Sequence, residues 1–114
     1  MNYISRKTGI NMNYEEKIVQ WHRDRNLIDG ATDKDQVCKL IQEVGELSDN
    51  VCKGKCVADD IGDCIVVLIN IAERNGLTLD DCLSTAWDDI KNRRGHMVDG
   101  IFIKEADRWL DDIS

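Results

Sequence analysis

Apolar and polar positions alternate with helical spacing through most of this chain. Tyr14, Ile18, Trp21 and Ile28 fall on one side of a stretch that the spacing predicts as a helix over about residues 13–28. Asp29-Gly30 ends it. Val37, Leu40, Ile41, Val44, Leu47 and Val51 form a second stripe, with Thr32 or Asp33 in place as its cap. Lys53-Gly54-Lys55 closes that helix. From Ala58 to Asn75, Ile61, Cys64, Ile65, Val66, Val67, Leu68, Ile69 and Ile71 go almost all the way round, the pattern of a buried helix. Many are β-branched, which makes a strand the competitor; the length of the segment decides for a helix. Asn75-Gly76 is a stop. Thr78 can cap a fourth helix, carried by Leu79, Leu83, Ala86 and Ile90. Met97-Val98 and Ile101-Phe102-Ile103 flank Asp99-Gly100 as the arms of a short hairpin. A tail helix is expected from about Glu105, docking through Trp109 and Leu110, and residues 1–12 read as a polar lead-in. The expectation is a single domain, 1–114, of the all-α class. A four-helix-bundle core spans about 13–95, and a β-hairpin and tail helix fill 96–114.

Composition narrows the function. The net charge of −7 over 114 residues argues against a nucleic acid polymer as partner, since such binding draws on basic surface. Residues 1–13 lack the apolar core of a secretory signal, and the apolar run Cys64–Ile69 is far too short to span a membrane. The five cysteines are odd in number, and Cys52 and Cys56 lack a second ligand pair at zinc spacing. Reduced thiols in a cytoplasmic protein are the expectation.

The chemistry lies in acidic pairs. Glu43 and Glu46, and likewise Asp60 and Asp63, stand three residues apart, which on a helix puts each pair on one face. Both pairs sit within apolar segments, where uncompensated carboxylates are costly. For Glu43 and Glu46 the plain alternative is a solvated helix edge. For Asp60 it is a first-turn carboxylate favoured by the helix dipole. Asp63 is harder to explain that way, because six apolar residues follow it. Asn70 is harder still, because an amide in that run needs buried partners. Asn70 and Arg74 share the face of Asp60 and Asp63, and Asn70 with the two aspartates can meet the acids of the second helix. Four carboxylates without a histidine suit Mg²⁺, or Mn²⁺ as a substitute, and such ions commonly act on phosphates. Lys91, Arg93 and Arg94 can neutralise phosphate charge, and Trp21 can stack on a base. No phosphate-binding glycine loop, serine elbow or Cys-His pair points elsewhere.

Gln42-Glu43-Val44-Gly45-Glu46 followed by Asp59-Asp60-Ile61-Gly62-Asp63 resembles the paired acidic motifs of the MazG-like nucleotide pyrophosphohydrolases. This all-α group also holds dimeric dUTPases and phosphoribosyl-ATP pyrophosphatase. Asn70 looks like the family's asparagine and Ile90–Gly95 like its basic segment. The resemblance covers roughly residues 31–100. It implies a four-helix core and a homodimer or homotetramer. It also implies Mg²⁺-dependent cleavage of a nucleoside triphosphate to monophosphate and pyrophosphate. Glu43, Glu46, Asp60 and Asp63 would be the metal-binding and catalytic residues, and Asn70, Lys91, Arg94 and Trp21 would contact substrate. Two positions depart from the pattern: Gln42 stands where a glutamate is usual, and Asp60 is one methylene shorter than the family's glutamate. The rival class is a non-catalytic helical interaction module that keeps a cation site.

Overall fold

A computed structural model describes residues 12–105. Four helices and a two-stranded sheet follow one another in chain order: α1 (Tyr14–Asp24), α2 (Asp33–Cys52), α3 (Ala58–Arg74), α4 (Leu79–Ile90), β1 (Gly95–Val98) and β2 (Ile101–Lys104). The expected tail helix, with Trp109 and Leu110, lies outside the described residues, as does most of the N-terminal lead-in. The chain divides into two compact units, the first ending at Leu79 and the second starting at Asp80.

In the first unit α3 packs against both α1 and α2. Each helix has local reasons to start and stop. Asn13 caps α1 by accepting from the Glu16 N–H at 2.9 Å. The helix ends at Asp24, four residues before the expected end. There the Leu27 and Arg25 N–H groups turn back onto the His22 carbonyl, and Asn26 takes a left-handed φ of 56°. Ile28 is buried all the same, delivered by that turn rather than by a helical face. Tyr14, on the same side of the helix as Ile18 and Trp21, is exposed, with the Lys17 ammonium 5.1 Å from its ring centroid. Thr32 opens α2 with a reciprocal cap: its hydroxyl accepts from the Asp35 N–H at 3.1 Å, and the Asp35 carboxylate accepts from the Thr32 N–H. The turn after α2 runs through Gly54 at φ 67°, where a side chain would be strained.

The apolar core of this unit is small. Among the described residues Ile28, Val67, Ile69 and Ala72 are its buried hydrophobic members. Buried with them are four polar groups, His22, Glu43, Asp60 and Asn70. The expectation that α2 hides its whole stripe and α3 its whole circumference is corrected here. Val37, Ile41, Val44 and Val51 of α2 are exposed, and so are Ile61, Ile65 and Leu68 of α3. The reason lies in how the helices are used. α3 meets α1 at Val66 and Asn70, and two neighbouring helices leave part of its circumference open.

In the second unit α4 precedes the hairpin. β1 and β2 pair antiparallel, Gly95 opposite Lys104 and Val98 opposite Ile101. Asp99 and Gly100 both have positive φ, 49° and 81°, the turn that suits the twist of a two-residue hairpin. The hairpin therefore forms where the sequence placed it.

Candidate metal centre

The acidic pairs are brought together by a short connection. Only the five residues 53–57 separate α2 from α3, so α3 folds straight back along α2. Asn50 meets Asp60 across the two helices, while Glu43, two turns earlier on α2, groups with Asp63 further along α3. The helices thus run in opposite directions. One ligand oxygen each from Glu43, Glu46 and Asp63 lies within 4.8 Å of the others. Glu43 is buried, Asp63 half-buried and Glu46 exposed.

The fourth acid sits differently. Asp60 is buried, and both of its oxygens accept from the Asn50 amide nitrogen, at 3.1 and 3.0 Å. It stands outside the close group of three, yet near enough to be felt there.

Charge is crowded at this place. The Glu46 carboxyl is held above the ordinary carboxylate range, first by the Glu43 charge and then by a hydrogen bond with Glu43. Asp63 is also pushed up, first by desolvation and then by Asp59, Glu43 and Asp60. Lys39 offsets part of this. Its ammonium lies 3.1 Å from Glu43 and pulls both Glu46 and Asp63 back down. The Cys64 thiol, too, is pushed up, first by burial and then by Glu43, Asp63, Asp60 and Glu46. What remains is a set of hard oxygen donors with excess negative charge and no histidine among them, a set that fits Mg²⁺ or Mn²⁺.

Asp63 has a second neighbourhood. It lines a cavity of about 370 Å³ with Val66 of α3 and Lys17, Ile18 and Trp21 of α1. Trp21 is braced there: the Arg25 guanidinium lies 4.2 Å over its ring, and the His22 ring meets it edge-on at 5.3 Å.

Asn70 is not where the helical-face argument put it. It is fully buried and turned to α1 and the turn that follows, not to the acids of α2. Its amide nitrogen donates to the Leu27 carbonyl at 2.9 Å and to His22 Nδ1 at 3.2 Å. Nε2 of that imidazole sits 3.0 Å from the Val66 carbonyl. A carbonyl only accepts, so Nε2 carries the proton and Nδ1 is the acceptor. Seven residues past Asp63 is about 10 Å along a helix, and at that height α1 is the neighbour. Arg74, on the same face, reaches the first residue of α2 rather than the acidic group. It bonds Asp33 at 2.9 Å and the Ile28 carbonyl.

Lys91 and Arg94 belong to the second unit. Lys91 pairs with Asp88 at 3.0 Å and Arg93 with Asp89 at 2.7 Å, while the Arg94 carbonyl accepts from the Glu105 N–H. Sequence reasoning passed over Lys39 and Lys17 near the acids, and set Asn50 on one border of the stripe with Glu43 and Glu46 without giving it a role. Lys39 stands four before Glu43, a visible ion-pair spacing. Asn50, four past Glu46, shares its border of the stripe. Lys17 precedes Trp21 by one turn, but nothing in the sequence marks it.

No family model matches this chain, and no solved structure does. The chain is similar to an uncharacterized 18.2 kDa protein of the rep-hol intergenic region of Haemophilus phage HP1, 44% identical over 62 residues. The match takes in 53% of this chain and 38% of that protein, well under two thirds of the relative's length.

Proposed function

We propose that this chain is a MazG-like nucleotide pyrophosphohydrolase, which hydrolyses (deoxy)nucleoside triphosphates to monophosphate and pyrophosphate with Mg²⁺. The observation that carries the proposal is the double membership of Asp63. It belongs both to the three-carboxylate group and to the wall of the Trp21 cavity. A nucleotide needs those two surroundings side by side, a cation for its phosphates and an apolar aromatic slot for its base. The cavity is of the size that small-molecule sites favour. Sequence motif, donor chemistry and cavity support one reading; the identity of the bond broken rests on the family resemblance.

Glu43, Glu46 and Asp63 would hold the cation, with Asp60 beside them. When bound, the cation supplies charge neutralisation to the phosphate oxygens and acidifies a water. The chain's own residues do the rest. The carboxylates fix where the phosphates stand, and Lys39 adds a positive charge at the edge of the site. Trp21 and Ile18 offer a face on which a base can stack while water is kept away. Asn70 acts on this site through His22, which links the helix of Trp21 to the Val66 carbonyl. Lys91 and Arg94 are proposed as phosphate contacts and the active species as a homodimer or homotetramer.

The test is direct. Purified protein is incubated with each triphosphate and Mg²⁺ and the products are separated. Monophosphate with pyrophosphate is the expected outcome; orthophosphate with diphosphate would sink the proposal. A second reading, a helical interaction module without catalysis, is favoured by one observation, the exposed apolar stripe of α2 and α3. It predicts a melting temperature that responds to Mg²⁺ but not further to a non-hydrolysable nucleotide. The proposed enzyme responds to both, because a ligand bound by the native state alone stabilises it.

A further inference from the structure

Asn50 stands four residues past Glu46 on α2, on the border from which side chains reach α3. Its Nδ2 lies 3.1 Å from Asp60 Oδ1 and 3.0 Å from Oδ2. The amide has two hydrogens to donate and the carboxylate accepts at both oxygens, so one nitrogen engages the whole group. Asp60 is 8% exposed. At that depth the direction of a carboxylate is set by its donors, since little water is present to turn it.

The geometry therefore sorts four acids into two kinds. Three converge with their oxygens inside 4.8 Å. The fourth is shorter than the glutamate of the resembling motif and is drawn onto an amide. We propose that Asn50 is a positioning residue: it holds the Asp60 carboxylate at the edge of the three-acid group, as an oriented acceptor for water at the site rather than a direct ligand. This rests on the cation site proposed above. Asn50 touches neither substrate nor cation and acts only through Asp60. Partners in such outer positions commonly change metal affinity by about 10–100-fold when removed.

The test reads Mn²⁺ affinity by calorimetry, without substrate. Asn50→Ala should weaken binding about tenfold or more, with an unchanged metal-free circular dichroism spectrum. In an Asp60→Ala background the same substitution should change nothing further, since a residue acting through another loses its effect when that other is gone. Asn50→Leu, close in volume to asparagine but without a donor, repeats the comparison should the alanine variant not fold. Unchanged Mn²⁺ affinity in a folded Asn50 variant overturns the inference and leaves the cation site standing. So does a loss that persists undiminished without Asp60, because Asn50 would then be acting on the helix rather than on the acid. A wild-type protein that takes up no Mn²⁺ overturns the cation site itself, and the inference with it.

Discussion

At the scale of the residue, two groups carry opposite burdens of charge. Glu46 and Glu43 share one negative region too many. Glu46→Gln removes a charge and gives Glu43 an amide donor. It should raise the melting temperature of metal-free protein at neutral pH while erasing the further rise that Mg²⁺ gives the wild type. Paired melting curves in chelator and in Mg²⁺ check this; a metal-free variant less stable than wild type would contradict it. His22 is the reverse case. Burial holds its pKa below the ordinary 6.5, against the Val66 carbonyl, which raises it, and with help from the Arg25 charge. The folded protein keeps the ring neutral, while the unfolded chain takes a proton as pH falls past 6.5. The unfolded state then binds more protons, so this contribution to stability is full above 6.5 and is lost as pH falls towards the lower folded value. Urea midpoints at about pH 7.5 and about pH 5.5 should therefore differ less in His22→Gln than in wild type. An equal difference would remove His22 as the cause. The acids were visible in the sequence because a spacing of three on a helix needs no tertiary knowledge. The His22–Asn70 contact was not, because it joins residues far apart in the chain through a turn whose course the periodicity does not encode.

At the scale of the element, the chain's local signals were read well where chemistry is local. Thr32 and Asp35 form the cap of α2, and Asp99-Gly100 turns the hairpin. The end of α1 was misplaced because Ile28 keeps helical phase with Ile18 and Trp21, yet reaches the core from a non-helical turn. On α2 and α3 apolarity does not amount to burial. Periodicity tells which residues share a side, not whether a neighbour exists to cover it. Thr32→Ala should cost about 1 kcal/mol of stability, the usual loss of a cap. It should leave Mn²⁺ affinity unchanged, since Glu43 and Glu46 stand about three turns or more along the helix from the cap. Chemical denaturation with a Mn²⁺ titration on the same sample checks both halves; a fall in affinity would mean the cap sets the helix register that the site depends on.

At the scale of the whole molecule, the apolar stripe calls for an explanation. Ile41 is 65% exposed and Val51 58%, and on α2 they line up with Val37 and Val44. Contiguous apolar surface of this kind usually marks an interaction site, and we expect a second copy of the chain to cover it. Light scattering at micromolar concentration should give a dimer or tetramer, and Ile41→Glu should shift it to monomer. A clean wild-type monomer would rule this out. Among the described residues no helix is long and apolar enough to cross a membrane.

The packing around Trp21 has an optical consequence. Its indole meets the edge of one titratable ring and lies under one fixed cation. Indole emission responds to charge appearing at its edge and to water leaving its face. The protonation of His22 and the filling of the neighbouring cavity would each register in the colour and yield of one side chain's light. In a background where Trp87 and Trp109 are phenylalanine, the chain carries its own fluorophore at the place where its chemistry is proposed to happen.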